Sequence, residues 1–182
     1  MAITESTKRT ECVKVCFSER MMLEVETVSG GESTIEYGLN EAVLEREQAG
    51  HLIRFNLKIN GSLFTSYAAD GVIISTPTGS TAHSFSARGP IASPELRCTL
   101  LTPISAHMLF DRSLVLGEQE ELEFEVDKSR EVVCAVDGRR IGVLSSGDRV
   151  ICRPAAGPLR LIELRERNFH QILKHKFSLP DR

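Results

Sequence analysis

Seven side-chain hydroxyls fall within twelve consecutive positions, at Ser75, Thr76, Thr78, Ser80, Thr81, Ser84 and Ser86. They follow the β-branched run Val72-Ile73-Ile74, which reads as a buried strand. Pro77 and Gly79 force a turn directly after it. Ser80 or Thr81 is then placed to cap a short helix starting near Ala82. A strand end that delivers free N–H groups and hydroxyls to one turn suits the sugar and phosphate groups of a nucleotide. The same residues also suit a turn in which each hydroxyl only satisfies nearby backbone. Upstream, Asn40-Glu41 sets an amide beside a carboxylate at a strand start. That pair could accept hydrogen bonds from ribose hydroxyls or an exocyclic amine, or be plain turn chemistry. A hydrolase using His83 or His107 with a nearby serine has little support, because no G-x-S-x-G elbow is present and proximity in sequence does not make a triad.

The elements that must position these residues are mostly strands. Apolar or alternating runs predict strands over 12–17, 21–28, 39–44, 51–59, 62–67, 99–104, 121–126, 132–136, 141–144, 149–153 and 159–164. Asn60-Gly61 is a hairpin signal, Asp137-Gly138 is a turn, and Gly30-Gly31 is read as a hairpin turn. Turn signals recur at roughly the eight-to-twelve-residue spacing of an all-β sandwich. The fold class predicted is therefore mainly β, two packed sheets with two helices. One helix spans about Ala82 to Ala87. The other lies near the C-terminus, where Phe169, Ile172, Leu173 and Phe177 share one face. That face packs either on its own sheet or on a surface outside this chain. Residues 1–10 read as a polar, mobile lead-in, 11–165 as the sandwich and 166–182 as a C-terminal helix and tail. The alternation of Glu121, Glu123 and Glu125 with Leu122, Phe124 and Val126 reads as a strand with one solvated face.

With 182 residues, 41% hydrophobic and a net charge of −3, the chain can bury a full core and lacks the basic excess of a nucleic-acid binder. No apolar run reaches the roughly 20 residues of a bilayer span, and the N-terminus has no signal-peptide pattern. The five cysteines form no C-x-x-C pair, which speaks against a disulfide framework or zinc knuckle and for a cytoplasmic setting.

The stretch Asp70 to Pro90 resembles the signature of NAD kinases, D-G-[apolar]3-S-T-P-T-G-S-T-A-Y-S-x-S-x-G-G-P. Gly38-Leu39-Asn40-Glu41-Ala42-Val43 resembles that family's Asn-Glu motif and stands the same 30 residues upstream, counted from Asn40 to Asp70. The resemblance extends from about Arg20 to Pro180. It implies that Asn40 and Glu41 hold ribose hydroxyls and base edges, and that His51 is a further nucleotide contact. It also implies that Asp70 meets a nicotinamide carboxamide, that Thr81, Ala82, His83, Ser84, Phe85 and Ser86 line the pocket, and that Arg139 touches nucleotide. NAD and NADP would be substrate and product, with ATP or polyphosphate and Mg²⁺ serving the complete enzyme. A homo-oligomer, dimer or tetramer, and an N-terminal α/β kinase domain are the implied partners. Three positions depart from the pattern: His83 stands for Tyr, Arg88 for the first glycine of Gly-Gly-Pro, and Ala68 for a basic residue.

The largest departure is an absence. The family's Gly-Gly-Asp-Gly motif, with its general base, does not occur in these 182 residues, and neither does a Walker A or G-x-G-x-x-G pattern. The expectation is a chain that binds the acceptor dinucleotide but is inactive alone. The alternative is a non-catalytic dinucleotide-binding or oligomerisation module.

Overall fold

A computed structural model describes residues 15–47, 52–106, 111–127, 131–164 and 168–180. His51, His107 and Cys12 lie outside them, as does the expected lead-in over 1–10. The strands in chain order are β1 (Cys16–Arg20), β2 (Leu23–Ser29), β3 (Glu32–Gly38), β4 (Glu41–Arg46), β5 (Ile53–Ile59), β6 (Ser62–Ala69), β7 (Gly71–Ser75), β8 (Cys98–Ile104), β9 (Leu114–Gly117), β10 (Leu122–Val126), β11 (Val132–Val136), β12 (Arg139–Leu144), β13 (Arg149–Pro154) and β14 (Leu159–Glu163). The helices are α1 (His83–Ser86), entered through a 3-10 turn over Thr78–Thr81, and α2 (Phe169–Lys176).

The chain divides into two units, residues 19–159 and residues 1–18 with 160–182. In the larger, one six-stranded sheet runs β3-β2-β13-β10-β5-β6 and the other β12-β11-β4-β7-β8-β9. Alternate residues of both sheets meet in one core: Leu23, Phe55, Leu57 and Phe124 from the first, and Leu44, Val72, Ile74 and Cys134 from the second. Phe55 and Phe124 meet edge-to-face at 5.9 Å, the arrangement that ring quadrupoles favour. The two-sheet sandwich expected from the turn spacing is thus observed.

β4, β7 and β8 are buried almost throughout. Their inner residues face the other sheet, and Val43, Ile73 and Leu100 are buried on the opposite face. This double burial is why Val72-Ile73-Ile74 is a continuous apolar run and not an alternating one. Gly30-Gly31, Asn60-Gly61 and Asp137-Gly138 all have positive φ at both positions, as two-residue hairpin turns require. The acidic alternation belongs to an ion-pair network: Glu123 meets Lys58 at 2.8 Å, and Arg153 meets Glu24, Glu26 and Glu121 at 2.7, 3.1 and 3.1 Å.

Two strands are absent from the sequence reading. β3 carries its apolar residues Ile35 and Tyr37 outward, 49% and 52% exposed, so no inward apolar pattern marks it. β9 is a four-residue edge strand. The expected hydroxyl cap of α1 is also corrected: the helix starts at His83 behind Ala82, and no side chain caps it. Ser80 is turned inward, donating to the Pro77 carbonyl at 2.6 Å and accepting from the Ala92 N–H at 3.0 Å.

In the smaller unit β1 pairs with β14, and the Ser18 hydroxyl donates to Glu163 at 2.7 Å. The Asn168 side chain caps α2 by accepting from the Gln171 N–H at 3.2 Å, and Lys174, His175 and Lys176 complete its last turn, where cations suit the helix dipole. No residue of α2 is buried.

Candidate functional site

The register of the second sheet brings three distant segments to one rim. Glu41 opposes Ser75 across β4 and β7, and Ala42 opposes Val136 across β4 and β11. The start of β4, the end of β7 and the end of β11 therefore meet.

The loop that enters β4 is gripped from two sides. On one side the Asp137 carboxylate accepts from the N–H groups of Leu39, Asn40 and Glu41 at 2.6, 2.8 and 3.0 Å. The Asp137 N–H returns a bond to the Glu41 carbonyl at 2.9 Å. On the other side Thr76 donates its hydroxyl to the Leu39 carbonyl at 2.6 Å and its N–H to the Asn40 carbonyl at 2.9 Å. Gly79 closes the gap: a Cβ there would stand 2.1 Å from the Asn40 carbonyl oxygen. Only glycine lets the hydroxyl-rich turn lie flat on the Asn40 backbone.

Glu41 is buried at 8% exposure, unusual for a carboxylate. Burial pushes its carboxyl up from the ordinary glutamate range, and the negative charge of Asp137 adds to the rise. The His83 imidazole and a hydrogen bond from the His83 N–H oppose it. That N–H opens α1, so the Glu41 carboxylate and the start of the helix that follows the hydroxyl-rich turn are in contact. The second carboxylate oxygen, Oε2, has no hydrogen-bond partner. Ser75 Oγ, on the strand position opposite, and Thr78 Oγ1, in the turn, are likewise buried and unpartnered. Buried polar atoms are normally satisfied; among the described residues Tyr67 Oη and Thr99 Oγ1 share this unpartnered state, and the other three gather at this rim. Ribose hydroxyls and a base amine fit that donor and acceptor set.

The other expected residues divide by position. Thr81 and Ala82 are half-buried and His83 is exposed beside Glu41. Phe85 and Ser86 are exposed on α1. Ser84 is wholly buried, its hydroxyl 3.2 Å from that of Thr102, so toward solvent it offers no side chain. Asp70 precedes the far end of β7, about 17 Å from Ser75 at a strand rise near 3.3 Å, and pairs with Arg46 at 2.8 Å. Arg139 is exposed and pairs with Glu36 at 2.7 Å. Within one chain Asp70 does not join the Asn40–Glu41 rim, whereas Arg139 stands two residues after the Asp137 that shapes it, with its guanidinium on Glu36. The sequence reading missed Asp137, Thr76 and Gly79 as the residues that shape the rim. The Asp-Gly of a hairpin was visible, but not that its carboxylate reaches 97 residues back to Asn40.

Among the described residues no group of three or more His, Cys, Asp or Glu side chains is placed to hold a metal ion. No helix among them is long and apolar enough to cross a membrane.

The family model of the ATP-NAD kinase C-terminal domain matches residues 39–164, a span holding both motifs and the whole rim. The chain belongs to the NAD kinase family. It is 42% identical to the NAD kinase of Heliobacterium modesticaldum over 162 residues, covering 88% of this chain and 57% of that protein. With the NAD kinase of Carboxydothermus hydrogenoformans identity is 37%, over 90% of this chain and 59% of the relative. Among solved structures, yeast NADH kinase complexed with NADH superposes at a TM-score of 0.84 with 28% identity, over 90% of this chain and 49% of that one. An NAD kinase from Archaeoglobus fulgidus has the same fold, at a TM-score of 0.72 and 21% identity over 90% of this chain and 61% of the other. The chain thus spans a little over half the length of the curated relatives it matches.

Proposed function

We propose that this chain is the dinucleotide-binding half of an NAD kinase, and that the complete enzyme phosphorylates the adenosine ribose 2′-hydroxyl of NAD to give NADP. The observation that carries the reading is Glu41 Oε2, a buried carboxylate oxygen with no partner, held beside Asn40 by the Asp137 and Thr76 bonds. The likeness to a yeast kinase that binds NADH supports it. Asn40, Glu41, Thr78, Thr81, Ala82 and His83 hold the dinucleotide at the rim. The donor is ATP or polyphosphate with a divalent cation, served by residues outside this sequence. The apolar face of α2, with Phe169 and Leu173 only half-buried, suits docking on such a partner domain. Self-association is part of the reading, supported by exposed Ile35 and Tyr37 on edge strand β3 and Leu63 and Phe64 on edge strand β6. The setting proposed is cytoplasmic.

Calorimetric titration with NAD tests the reading. Glu41→Gln keeps an acceptor toward the His83 N–H but exchanges a charge-assisted bond for a neutral one. Affinity is expected to fall about tenfold, the difference between the two bond classes being about 1–1.5 kcal/mol. Stability moves the other way. Glu41 has a raised carboxyl pKa when folded, so its contribution is complete below the ordinary glutamate value near 4.5 and is lost as pH climbs through the folded value. At neutral pH Glu41→Gln should therefore melt higher than the parent, and the gap should close on acidification. Equal NAD affinity in parent and variant overturns the assignment of Glu41.

A second assay separates binding from turnover. The 182-residue chain mixed with ATP, NAD and Mg²⁺ is expected to bind NAD and form no NADP, because it lacks the Gly-Gly-Asp-Gly base. Sustained NADP formation would show that the base lies within this chain.

A further inference from the structure

We propose that a cavity beyond the C-terminal end of α1 is an oxyanion site, in which Arg88 and Arg112 hold the phosphate of a small ligand. The cavity measures about 590 Å³, and its polar lining is Ser86, Arg88, Ser105, Asp111, Arg112 and Ser113. Two guanidinium groups bring up to ten N–H donors, and three serines add hydroxyls. Planar, bidentate donors match phosphate and carboxylate alike, and two such groups with added hydroxyls suit the larger charge and the several acceptor oxygens of a phosphate. The one carboxylate among the described lining residues, Asp111, lies 3.5 Å from Arg112 with both side chains largely exposed, a pairing that water screens. Among the described residues no carboxylate pairs with Arg88. The described lining residues therefore keep a net positive charge.

Backbone geometry singles out the same place. Among the described residues five non-glycine residues have positive φ. Asn60 and Asp137 sit in hairpin turns, and Ser178 follows α2. The remaining two, Arg88 at +64° and Ser105 at +47°, both line this cavity. Arg88 occupies the left-handed position that ends α1, where the Gly89 N–H bonds back to the Ser84 carbonyl at 2.8 Å. Glycine is the residue that adopts this conformation freely, and the signature this stretch resembles carries glycine here. An arginine held in a glycine conformation, aimed at a polar cavity, is strain of the kind retained where a side chain has a task. The inference does not depend on the nucleotide reading of the Asn40–Glu41 rim.

The test is thermal-shift and calorimetric titration of the whole chain with inorganic phosphate, tripolyphosphate and NADP, at matched ionic strength. Binding is expected to weaken about tenfold or more in Arg88→Gly, as loss of a bidentate arginine contact implies. The same variant should melt no lower than the parent without ligand, since glycine relieves the backbone. Arg112→Ala, at an exposed position, is expected to weaken binding comparably and provides a second check. A response to inorganic phosphate or tripolyphosphate assigns a free phosphate ligand. A response to NADP alone that Arg88→Gly removes assigns a nucleotide-borne phosphate. No response to any of the three probes, or equal responses in the parent and both variants, overturns the proposal.

Discussion

Gly79→Ala is expected to destabilise the chain by about 3 kcal/mol or more and to abolish NAD binding, the cost being that of overpacking a site that cannot yield. The added Cβ would stand 2.1, 2.6 and 2.8 Å from the Asn40 carbonyl oxygen, its carbon and the Cα. All three are backbone atoms, so no rotamer change relieves the overlap. Asn40 cannot retreat either, because the Asp137 carboxylate holds its N–H from the far side at 2.8 Å. Relief must come from lifting the turn, which breaks the Thr76 bonds to Leu39 and Asn40 and pulls His83 from Glu41. Urea unfolding with an unchanged m-value measures the stability term, and calorimetry with NAD measures the binding term. A parent-like midpoint and affinity would show that the turn does not rest on Asn40.

Asp137→Ala is expected to cost about 2–4 kcal/mol, because three N–H groups lose a charged acceptor and water replaces it only in part. The Leu39 and Asn40 groups are near solvent, whereas that of Glu41 is half-buried. Alanine at the φ of +46° adds roughly 1 kcal/mol of backbone strain. Asp137→Asn keeps one carbonyl acceptor and tolerates that conformation, so it should recover about half of the loss. The order alanine below asparagine below parent, in both melting temperature and NAD affinity, is the expected result. Equal effects from both substitutions would mean that the turn, and not its carboxylate, organises the rim.

Much of this architecture is legible without coordinates. The run Val132 to Val136 is a strand with the bounds its alternation suggests, and Asn60-Gly61 closes the β5–β6 hairpin that its composition demands. Both are local signals, in which side-chain period and turn chemistry agree. β3 was illegible because an edge strand with exposed Ile35 and Tyr37 carries no inward pattern. The site was legible as motif and illegible as geometry. Sequence places Ser84 and Ser80 among the hydroxyls of a binding turn, yet both point into the protein: Ser84 meets Thr102 of β8 and lies close to Gly89, and Ser80 is held by the backbone of Pro77 and Ala92. Asp70 belongs to the same contiguous signature as Thr81, but a straight strand separates its two ends by the full length of β7.

The rim also constrains the order in which the protein can acquire its structure. Its parts come from residues 39–41, 76–83 and 137, and the sheets that deliver them pair β2 with β13 and β4 with β11. Such remote pairings must overcome loop-closure entropy before they return any contact energy. A partly folded chain can hold the β5–β6 hairpin and still possess no pocket. A ligand bound at the rim would therefore report that the sandwich has closed, and would retard unfolding without guiding the search that precedes it.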